Sequence, residues 1–155
     1  LPRPDGDPAP LPYLWDETDQ HEGAFDITLE VAILTPKMRE AGDPPHRLSR
    51  GTARDAYWTM AQLVAHHSSN GCDLSPGDLF GSGTLSGATP DSLGSLLELT
   101  QGGRAPITLP NGETRRFLDD GDEITLIGRA EKAGARTIGF GACTAKVLPA
   151  RSASF

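Results

Sequence analysis

The sequence predicts a mostly β fold of the α+β class, a mixed β-roll or sandwich with one packed helix. Three observations predict it. Short segments of alternating apolar and polar residues recur along the chain, and a period of two marks strands buried on one face. Turn residues punctuate those segments, with 18 glycines and 13 prolines in 155 residues. That is rich in turns yet short of the roughly 25–30% of a low-complexity chain. One segment, 53–69, carries helical spacing. Length agrees with one domain: domains run about 100–200 residues, and a chain of this size buries roughly 70% of its unfolded surface.

Taken in order, residues 1–24 form a proline-rich leading segment. Prolines at 2, 4, 8, 10 and 12 bar helix and central strand, because each lacks an N–H and fixes φ. Such a stretch reads as an extended linker following something upstream, and residues 13–24 read as a polar, acidic loop. Leu1 in place of methionine predicts a processed or trimmed chain, or a piece of a longer one. The domain proper, 25–149, opens on a strand at 25–34. Phe25, Ile27, Leu29, Val31 and Ile33 face one way, and Asp26, Thr28 and Glu30 the other. Pro36 ends it, and 36–51, with Gly42, Pro44 and Pro45, reads as a loop. In the helix at 53–69, Thr52 is the expected N-cap and Asp55 completes a capping box. Tyr57, Met60, Leu63, Val64 and His67 recur at helical spacing, and Asn70-Gly71 stops the helix.

The remainder reads as strands: 79–84, 96–100, 107–109 before the turn Pro110-Asn111-Gly112, and 138–147. Segments 115–118 and 123–130 are expected to pair as a hairpin across Asp119-Asp120-Gly121-Asp122. Leu148-Pro149 closes the domain, and 150–155 is a tail.

Charge and composition narrow the function classes. The net charge is -7, from 14 basic and 21 acidic residues, and a phosphate backbone repels that balance, so no nucleic acid partner is expected. No run approaches the ~20 apolar residues of a membrane span, so no membrane partner is expected. The first residues carry no basic n-region or apolar h-region, so no secretory signal is expected. Cys72 and Cys143 are expected to be free thiols in a reducing compartment, which implies a cytoplasmic protein.

Four features could carry chemistry. His66-His67 attracts attention as a metal pair, but adjacent helical residues point about 100° apart, so packing and solvent exposure are the better expectation. The acidic run Asp119, Asp120, Asp122, Glu123 lacks the alternating oxygen spacing of a calcium loop and fits a hairpin turn. The segment Gly81-Ser82-Gly83-Thr84-Leu85-Ser86-Gly87 matches no phosphate or nucleophile motif, though its hydroxyls and backbone N–H groups could hold a carboxylate. Glu98 sits in Ser95-Leu96-Leu97-Glu98-Leu99, a carboxylate flanked by leucines. On a half-buried strand it needs a partner or a shifted pKa; on an edge strand it simply faces solvent.

Several segments together resemble the fumarylacetoacetase family. They are Tyr57-Trp58-Thr59-Met60, His66-His67-Ser68-Ser69-Asn70-Gly71-Cys72, Leu74-Ser75-Pro76-Gly77-Asp78-Leu79 and Ser82-Gly83-Thr84-Leu85-Ser86-Gly87. Pro10-Leu11-Pro12-Tyr13-Leu14, Gly94-Ser95-Leu96-Leu97-Glu98-Leu99, Phe117-Leu118-Asp119-Asp120-Gly121-Asp122-Glu123 and Ile138-Gly139-Phe140-Gly141 continue the match in order. The Pro-Gly-Asp-Leu and Ser-Gly-Thr block recurs across the wider superfamily, whereas the His-His-Ser helix and the Ser-x-Leu-Glu-Leu segment are specific to the family.

The resemblance covers almost the whole chain and implies the last portion of the family's β-roll domain. It implies hydrolysis of the carbon–carbon bond of 4-fumarylacetoacetate to fumarate and acetoacetate, in tyrosine and phenylalanine catabolism. The implied substrate is a small diketo acid and the implied assembly a homodimer. A divalent metal, Mg²⁺ or Ca²⁺, serves the intact enzyme; none is expected in this chain alone, because the family's metal ligands and catalytic histidine match nothing here. Glu98 matches the glutamate that orients that histidine, and Thr84 the threonine that hydrogen-bonds a substrate carboxylate. The chain alone is therefore expected to be inactive. Two other readings stay open: a non-catalytic binding or assembly module of the same fold, and another superfamily member, an isomerase or decarboxylase.

Overall fold

The computed structural model describes residues 1–6 and 8–151; the tail expected at 150–155 lies outside the described residues beyond 151. Among the described residues six strands form: β1 (Ile27–Leu34), β2 (His46–Thr52), β3 (Ile107–Thr108), β4 (Thr114–Arg115), β5 (Glu123–Ala130) and β6 (Ile138–Lys146). Four short α-helices accompany them: α1 (Glu17–Glu22), α2 (Pro36–Ala41), α3 (Met60–Ser68) and α4 (Leu96–Leu99). The fold is the expected sheet-rich α+β class, with more helices than the one expected.

The principal sheet runs β2-β1-β5-β6, antiparallel throughout. β1 lies inside it, flanked by β2 and β5; of its alternating apolar residues Ile33 is buried and Ile27, Leu29 and Val31 are half-buried. β2 falls where a loop was expected. It contributes one aliphatic residue, Leu48, and two arginines, Arg47 and Arg50, so its pattern alone does not announce a strand. Pairing with the outer edge of β1 makes it one, and polar residues suit a sheet edge. Arg50 lies directly opposite Glu30 and pairs with it at 3.3 Å. Both side chains are partly exposed, which limits the pair to about 1 kcal/mol or less.

The core gathers at one end of the sheet. Ile33, Met38 and Leu109 are buried, with Leu34, Leu48, Ile107 and Ile124 packed around them. Met38 arrives on α2, also within the expected loop. Pro36 ends β1 as expected but simultaneously starts a helix, since its missing N–H costs nothing at the first helical position. Thr35 caps that helix by accepting from the Met38 N–H at 3.2 Å, and Gly42, at φ 75, closes it in the left-handed region.

The main helix is shorter than expected. Thr52 caps only a 3-10 turn, Ala53–Asp55, by accepting from the Arg54 N–H. The capping box that starts α3 is Thr59 with Gln62, each side chain bonding the other's backbone N–H. Ala56, at ψ 119, is extended and separates the two.

The leading segment is docked rather than free. Arg3 packs over the rings of Tyr57 and Trp58 and donates to the Tyr57 carbonyl. Tyr57 in turn donates to the Pro8 carbonyl at 2.8 Å. Part of the expected 13–24 loop is α1, capped by Asp16.

The expected hairpin of 115–118 with 123–130 does not form. β4 pairs with β3 across Pro110-Asn111-Gly112, and β5 pairs with β1 and β6. Arg115 is instead committed to Asp122, at 2.8 and 2.9 Å, and Phe117 and Leu118 are exposed. The strand expected at 79–84 is irregular, and the one expected at 96–100 is helix α4.

Candidate functional site

Away from the core, the same face of the sheet is open. Residues paired across strands share a face, so Leu29 and Val31 of β1, Leu126 and Gly128 of β5 and Cys143 of β6 line up there. Gly128 leaves room for the Phe140 ring, which a Cβ would approach to 3.1 Å. The glycine-rich segment 81–87 passes over this face, turning at Gly83, whose φ of 79 suits glycine. A cleft of about 560 Å³ results, in which Ser82 and Thr84 face Leu29, Leu126 and Phe140. Thr84, marked in the sequence, is an exposed hydroxyl on that apolar cleft.

Glu98 reaches the same unit by a route the sequence reading did not foresee. It lies in the single turn of α4 and is exposed, so the half-buried strand carboxylate is corrected. The leucines around it do not surround it: Leu96 and Leu99 turn toward Val31, Leu48 and Ile124, and Leu97 is exposed. Its carboxylate accepts from the Ser95 hydroxyl at 2.6 Å, and from the Ser86 hydroxyl at 2.8 and 3.0 Å. These bonds, Ser95 first and then Ser86, hold the Glu98 carboxyl below the ordinary carboxylate range. Ser86 stands two residues after Thr84, so one loop carries the cleft hydroxyl and a carboxylate donor. Gly94 lets this loop lie close, because a Cβ there would collide with the Leu85 carbonyl and the Thr84 methyl.

Sequence reasoning missed Ser95 and Gly94 as site residues. A signal for Ser95 existed: Ser-x-x-Glu is a helix-start pattern, and Ser95 does cap α4 by accepting from the Glu98 N–H. Ser86 lies in the glycine-rich segment whose hydroxyls could hold a carboxylate, but nothing local names Glu98, twelve residues away, as that carboxylate.

The other candidates separate. His66 Nδ1 lies 2.7 Å from the Tyr13 hydroxyl, and His67 packs edge-on against Phe80. Asp122 is wholly buried against Arg115, with Asp119 at 3.3 Å from the same guanidinium. Cys72 and Cys143 are free and exposed. Among the described residues, no three of His, Cys, Asp and Glu assemble around a common point, so these residues do not fit a divalent-metal site. Among them, no helix is long and apolar enough to cross a membrane.

Comparison with known proteins shows the family. The family profile described as fumarylacetoacetate (FAA) hydrolase C-terminal matches residues 17–148. The chain belongs to the fumarylacetoacetate hydrolase family. Family members with this sequence pattern include the fumarylacetoacetase of Homo sapiens, 47% identical over 150 residues, covering 97% of this chain and 34% of the relative. The fumarylacetoacetase of Arabidopsis thaliana is 46% identical over 146 residues, with 94% and 32% covered. That of Dictyostelium discoideum is 43% identical over 149 residues, with 95% and 33% covered. The chain spans about a third of the length of the curated relatives it matches.

Proposed function

We propose that the chain is the C-terminal part of a fumarylacetoacetase. In this reading it serves hydrolysis of the carbon–carbon bond of 4-fumarylacetoacetate to fumarate and acetoacetate, in tyrosine and phenylalanine catabolism. The observation that carries it is the Glu98 carboxylate, held by two hydroxyls beside the Thr84 cleft. Similarity to fumarylacetoacetases over nearly the whole chain supports it.

Each residue has a defined part. Glu98, ionised at neutral pH, accepts the N–H of a general-base imidazole, fixing its tautomer and stabilising the imidazolium that forms. His66 and His67 engage Tyr13 and Phe80, so the imidazole is proposed to come from the remaining length that the relatives possess. Thr84 donates its hydroxyl to a substrate carboxylate. The cleft volume lies within the roughly 300–1,000 Å³ typical of small-molecule sites, and its apolar wall excludes water from the substrate chain. The divalent metal that the resemblance implies needs ligands from outside the described residues. A homodimer and a cytoplasmic location belong to the same reading.

A chimera tests it. This chain replaces the matching third of the human relative, and cleavage of fumarylacetoacetate is followed by loss of its ultraviolet absorbance. Turnover that disappears on Glu98→Gln is expected. A folded chimera that leaves the substrate intact refutes the reading.

A further inference from the structure

We infer that Ser86 and Ser95 are positioning residues, two hydroxyls from different elements that fix the Glu98 carboxylate and leave lone pairs on it for a third donor. The inference rests on the reading of Glu98 as an orienting carboxylate.

The geometry dictates where each hydroxyl proton points. A serine hydroxyl has one proton and can accept through its lone pairs. The Gly94 N–H donates to Ser86 Oγ at 3.0 Å, and the Glu98 N–H donates to Ser95 Oγ at 3.3 Å. With a backbone donor occupying each oxygen, each proton is turned away from that donor and toward the carboxylate. Ser95 delivers its proton to Oε2 at 2.6 Å. Ser86 spans both oxygens, at 2.8 Å from Oε1 and 3.0 Å from Oε2. With a single proton, Ser86 bonds chiefly to the nearer Oε1, so each carboxylate oxygen takes one hydroxyl. A carboxylate offers about four lone-pair positions, so each oxygen keeps one for a further donor such as an imidazole N–H.

The two donors also tie separate parts of the site together. Ser86 belongs to the loop that carries Thr84, and Ser95 is the N-cap of α4. Their shared acceptor locks the substrate-binding loop to the carboxylate, so displacement of one displaces the other. The two hydroxyls lead in setting the charge state, and the Ser95 backbone adds a smaller share in the same direction. Among the described residues Glu98 has no ion pair, and the charged groups on adjoining segments, Asp55 and Asp91, do not bond to it. The depressed Glu98 pKa, with Ser95 and Ser86 as its leading causes, agrees.

Two measurements test this. In the 155-residue chain, the Glu98 carboxyl carbon is titrated by NMR in the parent, Ser86→Ala, Ser95→Ala, and the conservative Ser86→Thr and Ser95→Thr, with far-UV circular dichroism checking the fold. The midpoint is expected to rise in both alanine variants and to return toward the parent value in the threonine variants. In the chimera, each alanine variant is expected to lower kcat about ten-fold with KM little changed, and to move the acid limb of the pH profile upward, as loss of a hydrogen bond to a charged group predicts. A Glu98 midpoint unmoved in folded alanine variants overturns the inference, and so does unaltered kcat in an active chimera. An inactive parent chimera defeats the proposed function alone, and the titration then decides the clamp.

Discussion

Replacing Asp122 by asparagine removes one charge from the most deeply buried ion pair described here and should destabilise the fold severely. Asp122 is fully buried and Arg115 is 7% exposed. The carboxylate accepts from Arg115 Nη2 through Oδ1 at 2.9 Å, and from Arg115 Nε and the Asp119 N–H through Oδ2 at 2.8 and 2.9 Å. The hydrogen bonds to Asp122, foremost, hold the guanidinium more firmly protonated than an ordinary arginine. Asparagine has the same shape but turns one oxygen into an NH₂ group that faces another donor. Breaking a buried pair from one side costs about 3–5 kcal/mol, because the remaining charge stays desolvated. Asp119 and Glu113, at 3.3 and 3.5 Å from the guanidinium, compensate in part. We therefore expect a loss near the lower limit, about 3 kcal/mol. That is a large share of the roughly 5–15 kcal/mol that holds a domain folded. Urea unfolding of the parent and Asp122→Asn measures it. With a slope of about 1.5–2 kcal/mol/M, the midpoint should fall by about 1.5–2 M. A shift below about 0.5 M at unchanged slope would refute the reasoning and show that Asp119 replaces the lost carboxylate.

The site residues give contrasting kinetic expectations in the chimera. Glu98→Gln should lower kcat far more than it raises KM, since an amide cannot stabilise an imidazolium; normal turnover would reduce Glu98 to a structural carboxylate. Thr84→Val should mainly raise KM, by about ten- to a hundred-fold, because a hydrogen bond to a charged group serves bound substrate and transition state alike; a pure kcat effect would contradict that. Acid should destabilise the chain through Glu98 and Glu113. Both carboxyls lie below their ordinary value of 4.5, Glu113 chiefly through the Thr35 hydroxyl and then the Asn111 amide. The unfolded chain binds these protons more tightly, so the stabilisation is complete above about 4.5 and is lost as pH falls through the folded values. Melting temperatures followed downward in pH should drop across that window, and less steeply in Glu113→Gln; an identical slope in that variant would exclude Glu113.

The strands most legible in the sequence were those whose own residues specify them. β1, β5 and β6 carry enough alternation, or enough turn residues at their ends, to be read without a partner, and all three lie where their patterns place them. The motif segments likewise brought Thr84 and Glu98 into view before any geometry. What the sequence by itself determined is therefore local: the sheet-rich class, the alternating strands and the family pattern, with two residues now proposed for the site.

Tertiary structure decided whatever depends on a partner. β2 is a strand because the edge of β1 offers it unpaired N–H and C=O groups, not because Arg47 and Arg50 favour one. Four residues at Leu96–Leu99 satisfy strand alternation and a helix start equally well, and the reciprocal bonds of Ser95 and Glu98 select the helix. Arg115 pairs through its backbone with Ile107 of β3 while its side chain binds buried Asp122, so β3 replaces the expected hairpin partner. The clamp on Glu98 joins residues 86, 95 and 98 through a loop whose path no local pattern encodes. A hydroxyl bonds whatever acceptor the folded chain presents, and that acceptor is fixed by packing at a distance along the sequence rather than by the neighbours of the serine itself.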